Sequence, residues 1–245
     1  MGVLSAAWVI ARKDLVVEAR SRELIYTTLF FAMACVLVFS FSFVSFDPVT
    51  LIIDGREVII APRGQVPDGT QAGILWVAII FSGSLALGRA FERERQAETL
   101  RALLLAPIER ASVYLGKLFS LLVLMAAVEV VLVPIVGLLF GAHIGRAPWI
   151  LLGLLAAGTL GFAAVGTLLA AMLVRAHSRD VLLPMLLYPI AVPVILGGVR
   201  GTAAIFAGDQ PDITSAQSWL AMLVFFDAVF VTLALWMFGP VMGES

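Results

Sequence analysis

The sequence predicts an all-α integral membrane protein with six transmembrane helices, and three observations carry that prediction. Hydrophobic residues make up 61% of the 245 and charged ones 13%, with a mean hydropathy of +1.05. A soluble fold of this length could not hide so much apolar surface. Six apolar runs come near the roughly twenty residues needed to cross a ~30 Å hydrocarbon core at ~1.5 Å per residue. The basic residues then divide unevenly between the two sides that these runs define. Arg12, Lys13, Arg20, Arg22, Arg89, Arg93, Arg95, Arg101, Arg110, Lys117, Arg175 and Arg179 fall on one side, and Arg56, Arg63, Arg146 and Arg200 on the other, twelve against four. Lys and Arg near span ends stay cytoplasmic, so both termini are expected inside.

The runs cover residues 24–46, 73–88, 113–140, 147–174, 181–199 and 218–238. The second is the shortest, and the third and fourth exceed a perpendicular crossing, which implies tilt or a bent end. All belong to a single transmembrane domain spanning 1–245. Residues 1–23 precede the first run. Leu4, Trp8, Ala11 and Leu15 recur at helical steps while Arg12, Lys13, Glu18 and Arg20 lie off that stripe, the pattern of an interfacial helix; a merely cytoplasmic helix is the other reading. Acidic Asp14, Glu18 and Glu23 in the basic flank, and the length of the first run, argue for an uncleaved span over a signal peptide.

The connection 47–72 faces outward in this arrangement. Its Asp54-Gly55 pair stands between Leu51-Ile52-Ile53 and Val58-Ile59-Ile60, and Asp-Gly supplies the positive φ angles of a tight turn between β-branched flanks. A small exterior hairpin is expected, with an irregular loop as the alternative.

Between the second and third runs lies a charged island, residues 89–112 with Lys117 beyond it. Glu92, Glu94, Glu98 and Glu109 interleave with its cations. So mixed and helix-like a segment, in a chain this poor in charge, reads as a handle for a soluble partner, against the simpler reading of a solvated loop. A cytoplasmic helix over 91–106, ended by Pro107, is expected, with Leu100, Leu103 and Leu104 at helical spacing for burial and the charges setting register.

Within the later spans, Glu129 lies near the middle of the third and Asp227 in the sixth. A carboxylate in hydrocarbon costs several kcal/mol if exposed, so each must face protein or a watery cavity. Two roles stand open: a polar patch in a transport route or dimer seam, or an interhelical hydrogen bond that fastens the bundle. Pro184, Pro189 and Pro193 crowd the fifth span. Each removes a backbone donor and crowds the preceding turn, so a kink is expected there, as a hinge or as a static bend.

Other chemistry is limited. Cys35 is single, and His143 and His177 stand alone, so no disulfide, metal or catalytic constellation is expected. No G-x-x-x-x-G-K-[ST] phosphate loop occurs; if ATP is used, another chain hydrolyses it. Nothing in the pattern indicates nucleic acid.

The segment Phe91-Glu92-Arg93-Glu94-Arg95-Gln96-Ala97-Glu98-Thr99-Leu100-Arg101-Ala102-Leu103-Leu104-Leu105-Ala106-Pro107, with Gly116-Lys117 after it, resembles the coupling region of ABC-2 exporter permeases. More narrowly, the chain resembles the CcmB family, a membrane-embedded component of the haem exporter in cytochrome c maturation. That likeness rests on Gly73-Ile74-Leu75-Trp76-Val77-Ala78, Leu85-Ala86-Leu87, Thr159-Leu160-Gly161-Phe162, and Val181-Leu182-Leu183 with Pro189 and Pro193. It covers residues 73–198; the first outer connection is longer than in compact members.

The resemblance implies a component of the bacterial cytoplasmic (inner) membrane, not itself an enzyme. Two copies would join two copies of a separate ABC ATPase subunit, a haem-handling membrane subunit and a small accessory membrane subunit. ATP would bind the ATPase and haem a partner, or haem would be the substrate; Trp8, Trp76, Trp149, Trp219 and Trp236 are scattered and form no haem-handling segment. Phe91, Glu92, Arg93, Glu94, Arg95, Leu100, Arg101, Leu104 and Pro107 would then contact the ATPase. A permease for another lipid, glycan or drug is the alternative.

Overall fold

A computed structural model describes residues 2–43, 49–53, 56–60, 69–96, 109–173, 179–207 and 211–243. Seven helices appear among them. They are α1 (Val3–Ser21), α2 (Glu23–Phe43), α3 (Thr70–Gln96), α4 (Arg110–Phe140), α5 (Pro148–Met172), α6 (Arg179–Phe206) and α7 (Ile213–Gly243). The last six are long and apolar enough to cross a membrane, so the chain is a six-span helical membrane protein. Because the spans alternate, α1, the end of α3, the start of α4 and the end of α7 share one end of the bundle.

The six apolar runs all become helices, but their ends move. The second runs from Thr70 to Gln96 instead of 73–88, and the third starts at Arg110. Nothing in Arg89-Ala90-Phe91-Glu92-Arg93-Glu94-Arg95-Gln96 breaks a helix, since Ala, Glu, Gln and Arg are all good helix formers; hydropathy locates where lipid stops, not where the helix does. At the far end, Gly141 with φ 65° closes α4, a conformation glycine adopts at no steric cost. A short 3-10 turn, Ile144–Arg146, leads into α5, which begins on Pro148, where the missing N–H costs nothing. Asp212 accepts a 2.9 Å hydrogen bond from the Ser215 amide and so caps α7.

The hairpin is present: β1 (Val49–Ile53) and β2 (Arg56–Ile60) pair antiparallel from Val49↔Ile60 to Ile53↔Arg56. This is the register that the Asp-Gly reading predicts.

α5 is the most buried span and α2 and α7 the least. Around α5 pack α3, α4, α6 and α7, and α2 lies outside against α3 and α4. A single row, Leu24, Thr28, Ala32 and Val36, is the buried face of α2, one residue per turn, while Phe30, Val38 and Phe41 point away to lipid. α1 meets α4 within its first four turns. There the stripe expected along α1 divides: Ala11 is buried, but Leu4 and Trp8 are exposed. The packed face is instead Ala6, Ala7, Ile10 and Ala11. Gly116 of α4 admits it, because a Cβ there would lie 2.8 Å from Ile10 Cβ and 2.9 Å from the Ala7 carbonyl oxygen. Trp8 covers the edge with a T-shaped contact on Phe119 at 5.6 Å.

Candidate functional site

α5 brings the intramembrane polar groups together through its small residues. Gly158 and Gly166, two turns apart, receive the Trp76 ring and the Leu87 side chain from α3. On another face, Gly153 meets Leu220, and Gly161 meets Asp227, Phe226 and Val194. Without a driving force between helices in lipid, close backbone approach at small residues is what holds a bundle together. This spaced set of glycines was the signal for α5 as the central helix, and hydropathy alone passes over it.

Trp76 is the keystone of the α3 side. It is fully buried, its indole N–H donates to Thr202 Oγ1 at 2.9 Å, and Gly198 of α6 leaves room for the ring opposite Gly158. One side chain thus joins α3, α5 and α6. Farther along, the Tyr114 hydroxyl of α4 donates to the Ala164 carbonyl at 3.1 Å, and its ring packs on Phe238 of α7 at 5.4 Å.

The two span carboxylates are both buried against protein, as hydrocarbon demands. Glu129 of α4 accepts a hydrogen bond from the Thr159 hydroxyl of α5. Asp227 of α7 sits where a Cβ on Gly161 would be 2.5 Å from its Oδ1, and that oxygen has no hydrogen-bond partner among the described residues. Thr159 and Gly161 are two residues apart, about 200° around a helix of 3.6 residues per turn. The carboxylates therefore flank α5 from opposite sides and form no common patch. Among the described residues no group of three His, Cys, Asp or Glu side chains is placed to hold a metal ion.

All three prolines lie inside α6, which continues as one helix through them. Leu183, Leu187, Ala191 and Val194 are its buried side, and Pro189 and Pro193 are on the exposed side. The backbone bonds that the two rings remove are thus taken from the outer face.

Of the coupling residues, Phe91, Glu92, Arg93, Glu94 and Arg95 belong to the last turns of α3 instead of opening a separate helix. Leu100, Arg101, Leu104 and Pro107 lie outside the described residues. Lys117, read with the island, belongs to the bundle: its side chain is 8% exposed and its Nζ is 2.6 Å from Asp14 Oδ2 of α1. Sequence reasoning missed this pair, although an acid and a base on an otherwise apolar junction were its only available sign. Nearby, Arg89 reaches Glu23 at 3.7 Å and ties α3 to α2.

A family profile described as "CcmB protein" matches residues 5–242. The chain is 28% identical over 177 residues to "Heme exporter protein B" of Paracoccus denitrificans, covering 72% of this chain and 77% of that one. It is 26% identical over 174 residues to "Heme exporter protein B" of Pseudomonas aeruginosa, covering 71% and 76%.

Proposed function

This chain belongs to the CcmB protein family, and on that premise we propose that it is the permease subunit of a haem-export complex serving cytochrome c maturation. The observation that carries the reading is the reach of the family match, from residue 5 to residue 242, with relatives that bear the heme exporter name along most of their length. A six-span bundle without a phosphate loop in its sequence supports a subunit that moves with an ATPase and does not hydrolyse ATP itself.

In this reading a separate ABC ATPase docks on the 89–112 region, where α3 ends and α4 begins. Two copies of the chain assemble with the ATPase, a haem-handling membrane subunit and a small accessory one. The complex sits in the bacterial inner membrane with both termini cytoplasmic, which the twelve-to-four division of cations supports. Haem is held by a partner or passes as substrate, and Glu129 and Asp227 keep α4 and α7 in register with α5.

A deletion strain tests the proposal. It should keep its b-type haem proteins and lose covalently bound c-type haem. Persistence of c-type cytochromes with loss of an envelope lipid or glycan would assign the chain to another exporter.

A further inference from the structure

A groove of about 720 Å³ runs between α1, the start of α2, the end of α3 and the first half of α4. We propose that it is a binding site for one anionic phospholipid of the bilayer, with the phosphate at Arg22 and an acyl chain along α4. The groove has the polarity of such a molecule. Lys13, Glu18 and Arg22 line one end, while Leu121, Leu124 and Ala127 line the other.

Its length fits one leaflet. From Lys117 to Ala127 the wall follows ten residues of α4, about 15 Å of helix rise or half of a ~30 Å hydrocarbon core. Its volume lies within the range of roughly 300–1,000 Å³ typical of small-molecule sites. Two of the lining residues, Tyr26 at 60% and Val123 at 38% exposure, stand at its edge, so the groove opens sideways into lipid.

Charge selects the headgroup. The carboxylates at the mouth are already engaged: Asp14 with Lys13 at 3.1 Å and Lys117 at 2.6 Å, and Glu18 by accepting the Ile25 amide at 2.9 Å. Arg22 makes no ion pair among the described residues. It is also the one non-glycine residue among them with a positive φ, 53°. Its amide bonds the Glu18 carbonyl at 2.6 Å, so the backbone at the break between α1 and α2 is fixed where Arg22 lines the groove. A guanidinium matches phosphate as a planar fork of donors.

The full chain, purified in mild detergent, should be titrated with phosphatidylglycerol or phosphatidylcholine and read by native mass spectrometry. Wild type should prefer phosphatidylglycerol by about fivefold, the worth of one interfacial arginine near anionic lipid. Arg22→Gln should abolish the preference while leaving the melting temperature unchanged, and Ala127→Trp, which fills the apolar end, should weaken both lipids. Equal binding of the two lipids by wild type, or an undiminished preference in Arg22→Gln, overturns the proposal. So does displacement by glycerol phosphate without tails, which would make the ligand a soluble phosphate. Displacement by equimolar haemin would give the groove to a carboxylate amphiphile and equally remove the lipid. None of these outcomes depends on the export function.

Discussion

Removing Asp14 should release α1 from the bundle. Lys117 is 8% exposed and Asp14 21%, with 2.6 Å between their charged atoms. Breaking a buried ion pair by deleting one partner costs about 3–5 kcal/mol; the partial exposure of Asp14 places this pair at the lower end, about 3 kcal/mol. That is roughly a hundredfold in the equilibrium for α1 detachment. The geometry also predicts an asymmetry. Lys117→Met leaves Asp14 beside the more exposed Lys13 at 3.1 Å, a partly solvated pair that still neutralises the carboxylate, so it should cost less, about 1 kcal/mol. Replacing both, Asp14→Leu with Lys117→Met, should recover most of the loss, because an apolar pair suits a junction of alanines and Ile10. Limited trypsin digestion of the reconstituted protein measures this at Arg12, Lys13 and Arg20, with cleavage tracking the open population when reclosing is fast. If Asp14→Ala is cut no faster than wild type, or if the double variant is as labile as Asp14→Ala, the ion pair does not secure α1 and the reasoning fails.

Three further outcomes are expected. Trp76→Phe removes the bond to Thr202 and should lower unfolding free energy by about 1–3 kcal/mol through the orphaned partner and lost contacts, whereas Gly158→Leu should abolish accumulation in the membrane, both read by detergent melting and immunoblot. Thr159→Val should leave Glu129 buried without its donor and reduce protein level more than Glu129→Gln, measured in the same way; equal levels would indicate that the bond does not hold α4 to α5. In a Cys35→Ser background, a cysteine at Gly145 should react with an impermeant maleimide from outside and one at Glu109 should not, and the reverse pattern would invert the proposed orientation.

Much of the fold could be read in advance because hydrocarbon is an unforgiving solvent. A run of apolar residues long enough to cross it becomes a helix, since no other short segment satisfies its own backbone there. What composition does not encode is which side of each helix meets protein. On α1 the interfacial stripe accounts for Leu4 and Trp8, which stay outside the protein core, but it says nothing of the second face, Ala6, Ala7 and Ile10, that packs on α4, because small residues that allow close approach leave no hydrophobic signature of their own. The hairpin could be read because β-branched residues stand on both sides of an Asp-Gly pair, and the strands 49–53 and 56–60 pair accordingly. Glu129 and Asp227 could be read as buried, but not what they meet: Glu129 bonds an uncharged threonine and Asp227 fits against a bare glycine backbone, and neither neighbour carries a charge to betray it. Charged residues at span ends hid the true length of α3 and the place of Lys117.

That length has a mechanical consequence. α3 is one unbroken rod from Thr70 to Gln96, and Trp76 lies twenty residues, about 30 Å, from its far end. Since the indole sits in a slot shared with α5 and α6, rocking the rod by a few degrees at Gln96 would shift the ring by an ångström or more, by the same geometry. Gly158 and Gly198 leave it no slack. A load applied at one surface would therefore reach, through a single rod and not a chain of loops, the seam between two spans near the opposite surface.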